Sequence, residues 1–195
     1  MNPLERRRAV VVAGHLHDAE TASAHLADPS PGVREAALGA LDRIGVLDDH
    51  TLRAALADES PVVRRRAVLL AARRPTVDLM GVLHDPDPTV IEAAAWACGE
   101  HERADDATLS RLIELATDSD EALVRESAAA ALGAIGDPRG LPAVLVACED
   151  KPNVRRRAVL ALAAFEGPDV DAALERALHD RDWQVRQAAE DIQNA

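Results

Sequence analysis

The chain has 195 residues, which is enough for one globular domain or a short repeat array. Aromatic residues make up 2% of it and tyrosine is absent, so strands are disfavoured and helices are expected. The net charge of −12 argues against a protein whose main task is neutralising nucleic-acid phosphates, and no apolar stretch approaches the roughly 18 residues of a membrane span.

The sequence repeats itself along its whole length. The dipeptide Val-Arg recurs five times at steps of roughly 30 residues, with Val90-Ile91 at the missing position, and an aspartate precedes each copy. The repeated valines are Val33, Val63, Val90, Val124, Val154 and Val185. A period of this length predicts stacked helical hairpins.

The residue four positions after each repeated valine is always alanine. These alanines are Ala37, Ala67, Ala94, Ala128, Ala158 and Ala189, with Ala9 in a first copy at the N-terminus. A fixed alanine is expected where two helix axes cross closely, because a larger side chain would separate them. The alternative is that alanine serves only as a good helix former.

Each period is interpreted as two helices, A and B. Helix A begins at a proline that follows a capping residue, as at Ser30-Pro31, and helix B ends at the next aspartate. The B helices are expected at roughly 18–27, 48–57, 75–84, 105–117, 138–148 and 168–179. The prediction is a single repeat domain over 1–195, with repeats at about 4–28, 29–58, 59–85, 86–118, 119–150 and 151–180 and a terminal helix at 181–195.

Two segments carry a family resemblance. Asp-Pro-Ser-Pro-Gly-Val-Arg-Glu-Ala-Ala-Leu-Gly-Ala-Leu at 28–41 and Val-Arg-Glu-Ser-Ala-Ala-Ala-Ala-Leu-Gly-Ala-Ile-Gly-Asp at 124–137 resemble HEAT repeats, in particular the bacterial HEAT-like repeats of the phycobilisome-lyase type. The resemblance implies an all-α, right-handed α-solenoid of about six helical hairpins plus a terminal helix, with the B helices on its concave face. It also implies a ladder of Asp and Arg side chains between layers. Carried over, the ladder is Asp28, Arg34, Asp58, Arg64, Asp85, Arg125, Arg155, Asp180 and Arg186, and Ile91 interrupts it.

Residues that could carry chemistry are scattered. His101-Glu102 is a lone His-Glu pair, whereas HEAT-type di-iron hydroxylases carry several such pairs on successive repeats. Neither Cys98 nor Cys148 has a histidine at helical spacing, and the pair lacks disulfide-style spacing. We therefore expect no catalytic residues, no metal and no cofactor, and reduced thiols in a cytoplasmic protein.

One column of the predicted B helices is expected to face outward and bind a partner. It contains Arg53, Met80, Ile113, Leu145 and Glu175, and its middle three members are apolar. Leu141 belongs to the same prediction, because the helix at 141–148 is apolar nearly all round. The expected partner is a helix or extended segment of another protein, or a second copy of the chain. The alternative is that a register slip in the longer fourth repeat buries Ile113.

Two functions remain open at this point. The first is a non-catalytic protein-binding scaffold or adaptor that uses the concave B-helix face. The other is a HEAT-like enzyme or nucleic-acid-binding protein, of the lyase or DNA-glycosylase type, with a concave groove. The acidic charge favours the first, and neither nucleic acid nor a membrane is the expected partner.

Overall fold

The computed structural model describes residues 1–194. Within that range it contains twelve α-helices, three short 3₁₀ helices and no strand, so the predicted all-α fold class is confirmed. The helices are α1 Pro3–Leu16, α2 Ala19–Ala24, α3 Pro31–Ile44, α4 Asp49–Leu56, α5 Pro61–Ala71, α6 Pro88–Glu100, α7 Asp106–Asp118, α8 Ala122–Ile135, α9 Leu141–Ala147, α10 Pro152–Ala161, α11 Pro168–Leu178 and α12 Trp183–Gln193. The predicted terminal helix 181–195 corresponds to α12, and its last residue, Ala195, lies outside the described residues.

Local sequence explains where the helices begin and end. Six of them begin at a proline, whose missing N–H costs nothing in the first turn. Where proline is absent, an aspartate often caps the helix: the carboxylates of Asp48 and Asp105 each accept from a backbone N–H three residues on, at 2.7 Å. Gly45 and Gly136 end α3 and α8 with positive φ, a conformation that suits glycine.

The helices alternate between A and B elements. The A helices are α1, α3, α5, α6, α8, α10 and α12, and the B helices are α2, α4, α7, α9 and α11. The prediction of a helix at 75–84 was wrong, because that segment has only a 3₁₀ helix at Met80–His84. Gly81 lies inside the predicted helix and has poor helix propensity.

The chain forms two compact units. The N-terminal unit is Met1–Asp78, and the C-terminal unit begins at Leu79. In the first, α3 packs against α1, α2 and α5; in the second, α8 packs against α6, α7, α9 and α10. The single repeat domain over 1–195 stays a prediction.

Small residues allow the A helices to pack closely. The alanines four positions after the repeated valines, from Ala37 to Ala189, are all fully buried. Three further pairs of small residues form close approaches, where Gly14 faces Ala40, Gly99 faces Ala131 and Gly133 faces Ala161. A methyl group added at any of these three glycines would lie within 3.0 Å of a neighbouring Cα. The backbones are therefore nearly in contact at these points.

Candidate partner-binding surfaces

Arg–Asp clamps join A helices to the turns between repeats. They include Arg6–Asp28, Arg34–Asp58, Arg125–Asp150 and Arg155–Asp180. In each clamp the Nε and Nη2 groups donate to the two oxygens of one carboxylate at 2.5–2.9 Å. This paired geometry is the strongest form of an arginine–carboxylate contact. The side chains of Arg34 and Arg155 are 8% and 7% exposed, so solvent screens these clamps weakly.

Each clamp also fixes the turn in front of its own helix. The Nη1 group of Arg34 donates to the backbone oxygen of Asp28, and that of Arg155 to the backbone oxygen of Asp150, at 2.8 and 2.7 Å. The carboxylate of Asp180 accepts a further bond from the backbone N–H of Asp182, at 2.7 Å. One ion pair therefore holds two successive turns.

The structure places the predicted ladder residues as follows. Arg34, Asp58, Arg155 and Asp180 form two of the clamps, while Asp28 and Arg125 form clamps with residues that the prediction omitted, Arg6 and Asp150. Arg64 and Arg186 donate to the backbone oxygens of Asp58 and Asp180, at 2.8 and 2.7 Å. Asp85 is buried, and its carboxylate accepts from the backbone N–H of Asp87 at 2.8 Å.

The clamp at Asp28 should make stability depend on pH. The bond from Arg6 lowers the pKa of the Asp28 carboxyl from 3.8 to about 2. Because this pKa is below the unfolded value, the carboxylate stabilises the fold above about pH 4, and this contribution is lost as the pH falls towards 2. We expect Asp28→Asn to have a lower free energy of unfolding than wild type at neutral pH, as measured by urea unfolding. The difference between the two proteins should narrow as the pH falls from about 4 towards 2. Glu166→Gln, at an exposed position, is the control, and a difference between Asp28→Asn and wild type that stays constant with pH would contradict the assignment.

The apolar members of the predicted partner column lie on three consecutive B elements of the C-terminal unit. Met80 begins the 3₁₀ helix, Ile113 is on α7 and Leu145 is on α9, and all three are half-buried. Helix α7 packs against both of the other elements. We call Met80, Ile113 and Leu145 the B-helix strip.

Of the other predicted partner residues, Leu141 and Glu175 lie in the C-terminal unit and Arg53 lies in the N-terminal unit. Leu141 is half-buried on α9, where Val146 is 58% exposed, and Glu175 is exposed on α11. Arg53 belongs to the N-terminal unit, where its guanidinium donates to the backbone oxygen of Thr76 at 3.3 Å. The alternative in which Ile113 is fully buried does not hold, because its side chain stays partly exposed.

The two units differ in charge. Residues 1–78 contain 11 acidic and 11 basic side chains, whereas residues 79–195 contain 23 acidic and 11 basic ones. The whole net charge of −12 is therefore carried by the C-terminal part of the chain. A unit with this net charge attracts cationic ligands more strongly than anionic ones.

Cysteine thiols and clusters of metal-ligating side chains are the groups with most potential for chemistry. Burial, aided by the neighbouring charge of Glu149, raises the pKa of the Cys148 thiol to about 12, so at neutral pH it is not the nucleophilic thiolate. Among residues 1–194, no group of three or more His, Cys, Asp or Glu side chains is arranged to hold a metal ion. None of the helices in that range is long and apolar enough to cross a membrane.

Comparison with known proteins identifies the fold. The model of the family described as HEAT repeats matches residues 49–133, 76–153 and 123–192, and a model described as a HEAT repeat associated with sister chromatid cohesion matches residues 20–41. The chain belongs to the HEAT-repeat family. The phycobilisome-lyase subtype stays a prediction, and no curated protein matches the sequence.

Solved structures agree with this assignment. The crystal structure of Escherichia coli YibA is 19% identical, with a TM-score of 0.77 over 100% of this chain and 78% of that one. A designed armadillo repeat protein in complex with the peptide (KR)4 is 20% identical, with a TM-score of 0.64 over 89% of this chain and 97% of that one. Human deoxyhypusine hydroxylase is 21% identical, with a TM-score of 0.50 over 99% of this chain and 79% of that one. At these identities the likeness concerns the fold, which is the predicted HEAT-like helical solenoid.

Proposed function

We propose that this HEAT-repeat protein is a non-catalytic scaffold or adaptor, which binds an amphipathic, basic segment of another protein on the B-helix strip. The observation that carries the proposal is that three consecutive B elements of the acidic unit, which pack against one another, each have a partly exposed apolar side chain: Met80, Ile113 and Leu145. Exposed apolar side chains that together form a continuous patch are typical of a binding surface.

Carboxylates beside the strip match such a partner. Glu114 on α7 is exposed and bonded to Arg111 at 2.9 Å, and Glu149 after α9 is exposed and lies 3.5 Å from Arg176. A carboxylate can accept bonds from more than one cation. The apolar face of a partner helix would pack on the strip while its basic face pairs with these rim carboxylates.

Two further observations support the proposal. The designed armadillo repeat protein that shares this fold is in complex with a basic peptide, (KR)4. Within residues 1–194 Cys98 and Cys148 form no disulfide, which suits a reducing cytoplasm, and the high pKa of the Cys148 thiol supports a role in packing rather than in catalysis.

Substitution of the strip tests the proposal. The double variant Met80→Gln/Leu145→Gln removes apolar contact without changing charge, so we expect about tenfold weaker binding of a synthetic amphipathic helix with leucines on one face and lysines on the other. Fluorescence anisotropy of the labelled peptide measures the affinity. Leu4→Gln is the matched control, because Leu4 is 79% exposed on the A helix α1.

Three outcomes have distinct meanings. Equal affinity of the double variant and wild type would overturn the B-helix strip as the binding surface. Equal loss in the control would show nonspecific adsorption to apolar side chains. Sedimentation of the peptide-free proteins identifies the remaining case: a wild-type dimer that becomes monomeric in the double variant would make a second copy of the chain the occupant.

A further inference from the structure

A groove between the A helices α6 and α8 is lined by partly exposed apolar side chains. Trp96 on α6 is 39% exposed and Leu123 on α8 is 65% exposed, and the groove has a volume of about 300 Å³. Its lining includes small residues of both helices, where Gly99 faces Ala131. We call this the Trp96 groove.

The small residues explain why the groove exists. A methyl group added at Gly99 would lie 3.0 Å from the Cα of Ala131, so the two backbones nearly touch there. Large side chains next to such a crossing have no room between the helices and remain at the surface. At the position of Trp96, six residues after the repeated valine, α3 has Gly39 and α8 has Ala130. A tryptophan at this position is therefore particular to α6 among these helices.

The charges of the groove are mostly negative. Glu92, Glu100 and Glu126 line it, and Arg157 is the one cation among its lining residues. Arg157 lies 3.8 Å from the carboxylate of Glu126, which also accepts from Asn153 at 2.7 Å. Glu100 is exposed at the end of α6, four residues after Trp96, and thus on the same helix face.

The corresponding groove of the N-terminal unit has the opposite charge. It lies between α1 and α3 and is lined by Arg7, Arg43 and Arg66 together with one carboxylate, Glu35. Glu35 lies 3.6 Å from both Arg7 and Arg66. Equivalent crossings of A helices therefore form grooves of opposite charge, and the acidic groove also contains the exposed indole of Trp96.

We propose that the Trp96 groove binds an arginine side chain of a partner protein. The indole of Trp96 offers a face on which a guanidinium stacks, and Leu123 offers apolar contact to the aliphatic stem. Glu100 and Glu92 supply carboxylate oxygens for the guanidinium N–H groups, and the acidic charge of residues 79–195 attracts a cation to the groove. Arginine fits better than lysine, because its planar group both stacks on a ring and pairs with carboxylates in a fork.

This site is independent of the proposed function. The Trp96 groove is formed by A helices, whereas the B-helix strip lies on the 3₁₀ helix Met80–His84, α7 and α9. Loss of the strip leaves the groove intact, and loss of the groove leaves the strip intact. Each can therefore be tested without the other.

The test uses tetra-arginine as the probe and the fluorescence of Trp96 as the reporter. In a Trp183→Phe background, where Trp96 is the remaining tryptophan, we expect saturable quenching by tetra-arginine, weaker quenching by tetra-lysine and none by tetra-glutamate. With labelled tetra-arginine, Trp96→Leu should weaken binding about fivefold and Glu100→Gln about threefold. Trp183→Leu is the matched control. Trp183 is 64% exposed on α12, in a groove lined by one Arg and one Asp, Arg156 and Asp191, and this variant should bind as wild type does.

The outcomes distinguish binding in the Trp96 groove from general attraction between opposite charges. Wild-type affinity of Trp96→Leu, with an unchanged melting temperature, would overturn the proposal and assign binding to the acidic surface as a whole. Equal quenching by tetra-lysine would overturn the preference for a planar cation. The variant Met80→Gln/Leu145→Gln should bind tetra-arginine normally, so failure of the groove and failure of the B-helix strip are distinguishable.

Discussion

Replacing Arg155 with alanine is expected to lower the free energy of unfolding by about 3 kcal/mol, because the change leaves a nearly buried carboxylate without its partner. Arg155 is 6% exposed, and it donates to both oxygens of Asp180 at 2.7 and 2.8 Å and to the backbone oxygen of Asp150 at 2.7 Å. The bond from Arg155 also lowers the pKa of the Asp180 carboxyl, which shows that the contact favours the ionised form. Urea unfolding at neutral pH, followed by circular dichroism, measures the loss.

The next residue in the chain supplies the control. Arg156 is exposed, and Arg156→Ala should change the free energy of unfolding by less than about 0.5 kcal/mol. Arg155→Lys should fall between the two, since an ammonium keeps the charge but not the fork of donors. If Arg155→Ala and Arg156→Ala were equally stable, the clamp would contribute no more than an exposed ion pair.

Replacing Gly133 with alanine is expected to destabilise the C-terminal unit by about 2 kcal/mol. The added methyl group would lie 2.5 Å from the Cβ and 2.7 Å from the Cα of Ala161 on α10. A clash with backbone cannot be relieved by a change of rotamer, so α8 and α10 must separate. This cost outweighs the gain of about 1 kcal/mol that alanine normally brings to a helix interior.

Gly39→Ala is the matched control, because Gly39 also lies inside an A helix. Its nearest neighbour is Nη2 of Arg66, 2.5 Å from an added methyl group. That atom is the end of a flexible side chain and can move away, so Gly39→Ala should be neutral or slightly stabilising. Thermal unfolding compares the two variants, and a rise in melting temperature for both would show that the crossing of α8 and α10 is not tight.

The A helices could be predicted well from the sequence, and the B elements less well. Helix α5 begins at Pro61, where the Ser60-Pro61 pair predicts a start, and the fixed alanines mark the buried side of every A helix after α1, where Ala9 is only partly buried. The B prediction at 75–84 used only the position of the next aspartate. It did not take account of the poor helix propensity of Gly81, and the segment has only a 3₁₀ helix.

The spacing of residues along the sequence could not predict which arginine pairs with which aspartate in the clamps. Arg34 follows Asp28 by six residues, which suggests a local pair, yet the carboxylate of Asp28 is bound by Arg6 and Arg34 reaches forward to Asp58. Asp150 was omitted because its spacing to the next Val-Arg is shorter than that of most copies. The Trp96 groove was missed for a related reason, since only helix packing shows that Gly99 and Ala131 meet. The available signal was Trp96 itself, a large residue at a repeat position where α3 has Gly39 and α8 has Ala130.

The clamps have a consequence for how such a chain can grow or shrink. Arg125 donates to the backbone oxygen of Ser119 and Arg155 to that of Asp150, so the two arginines have the same local surroundings one repeat apart. A gene duplication or deletion of one whole period leaves each clamp aspartate opposite a clamp arginine, wherever within the period the joint falls. A duplication or deletion of part of a period would leave a clamp arginine or aspartate without its partner at the joint. The clamps therefore favour growth and loss of the chain by whole repeats.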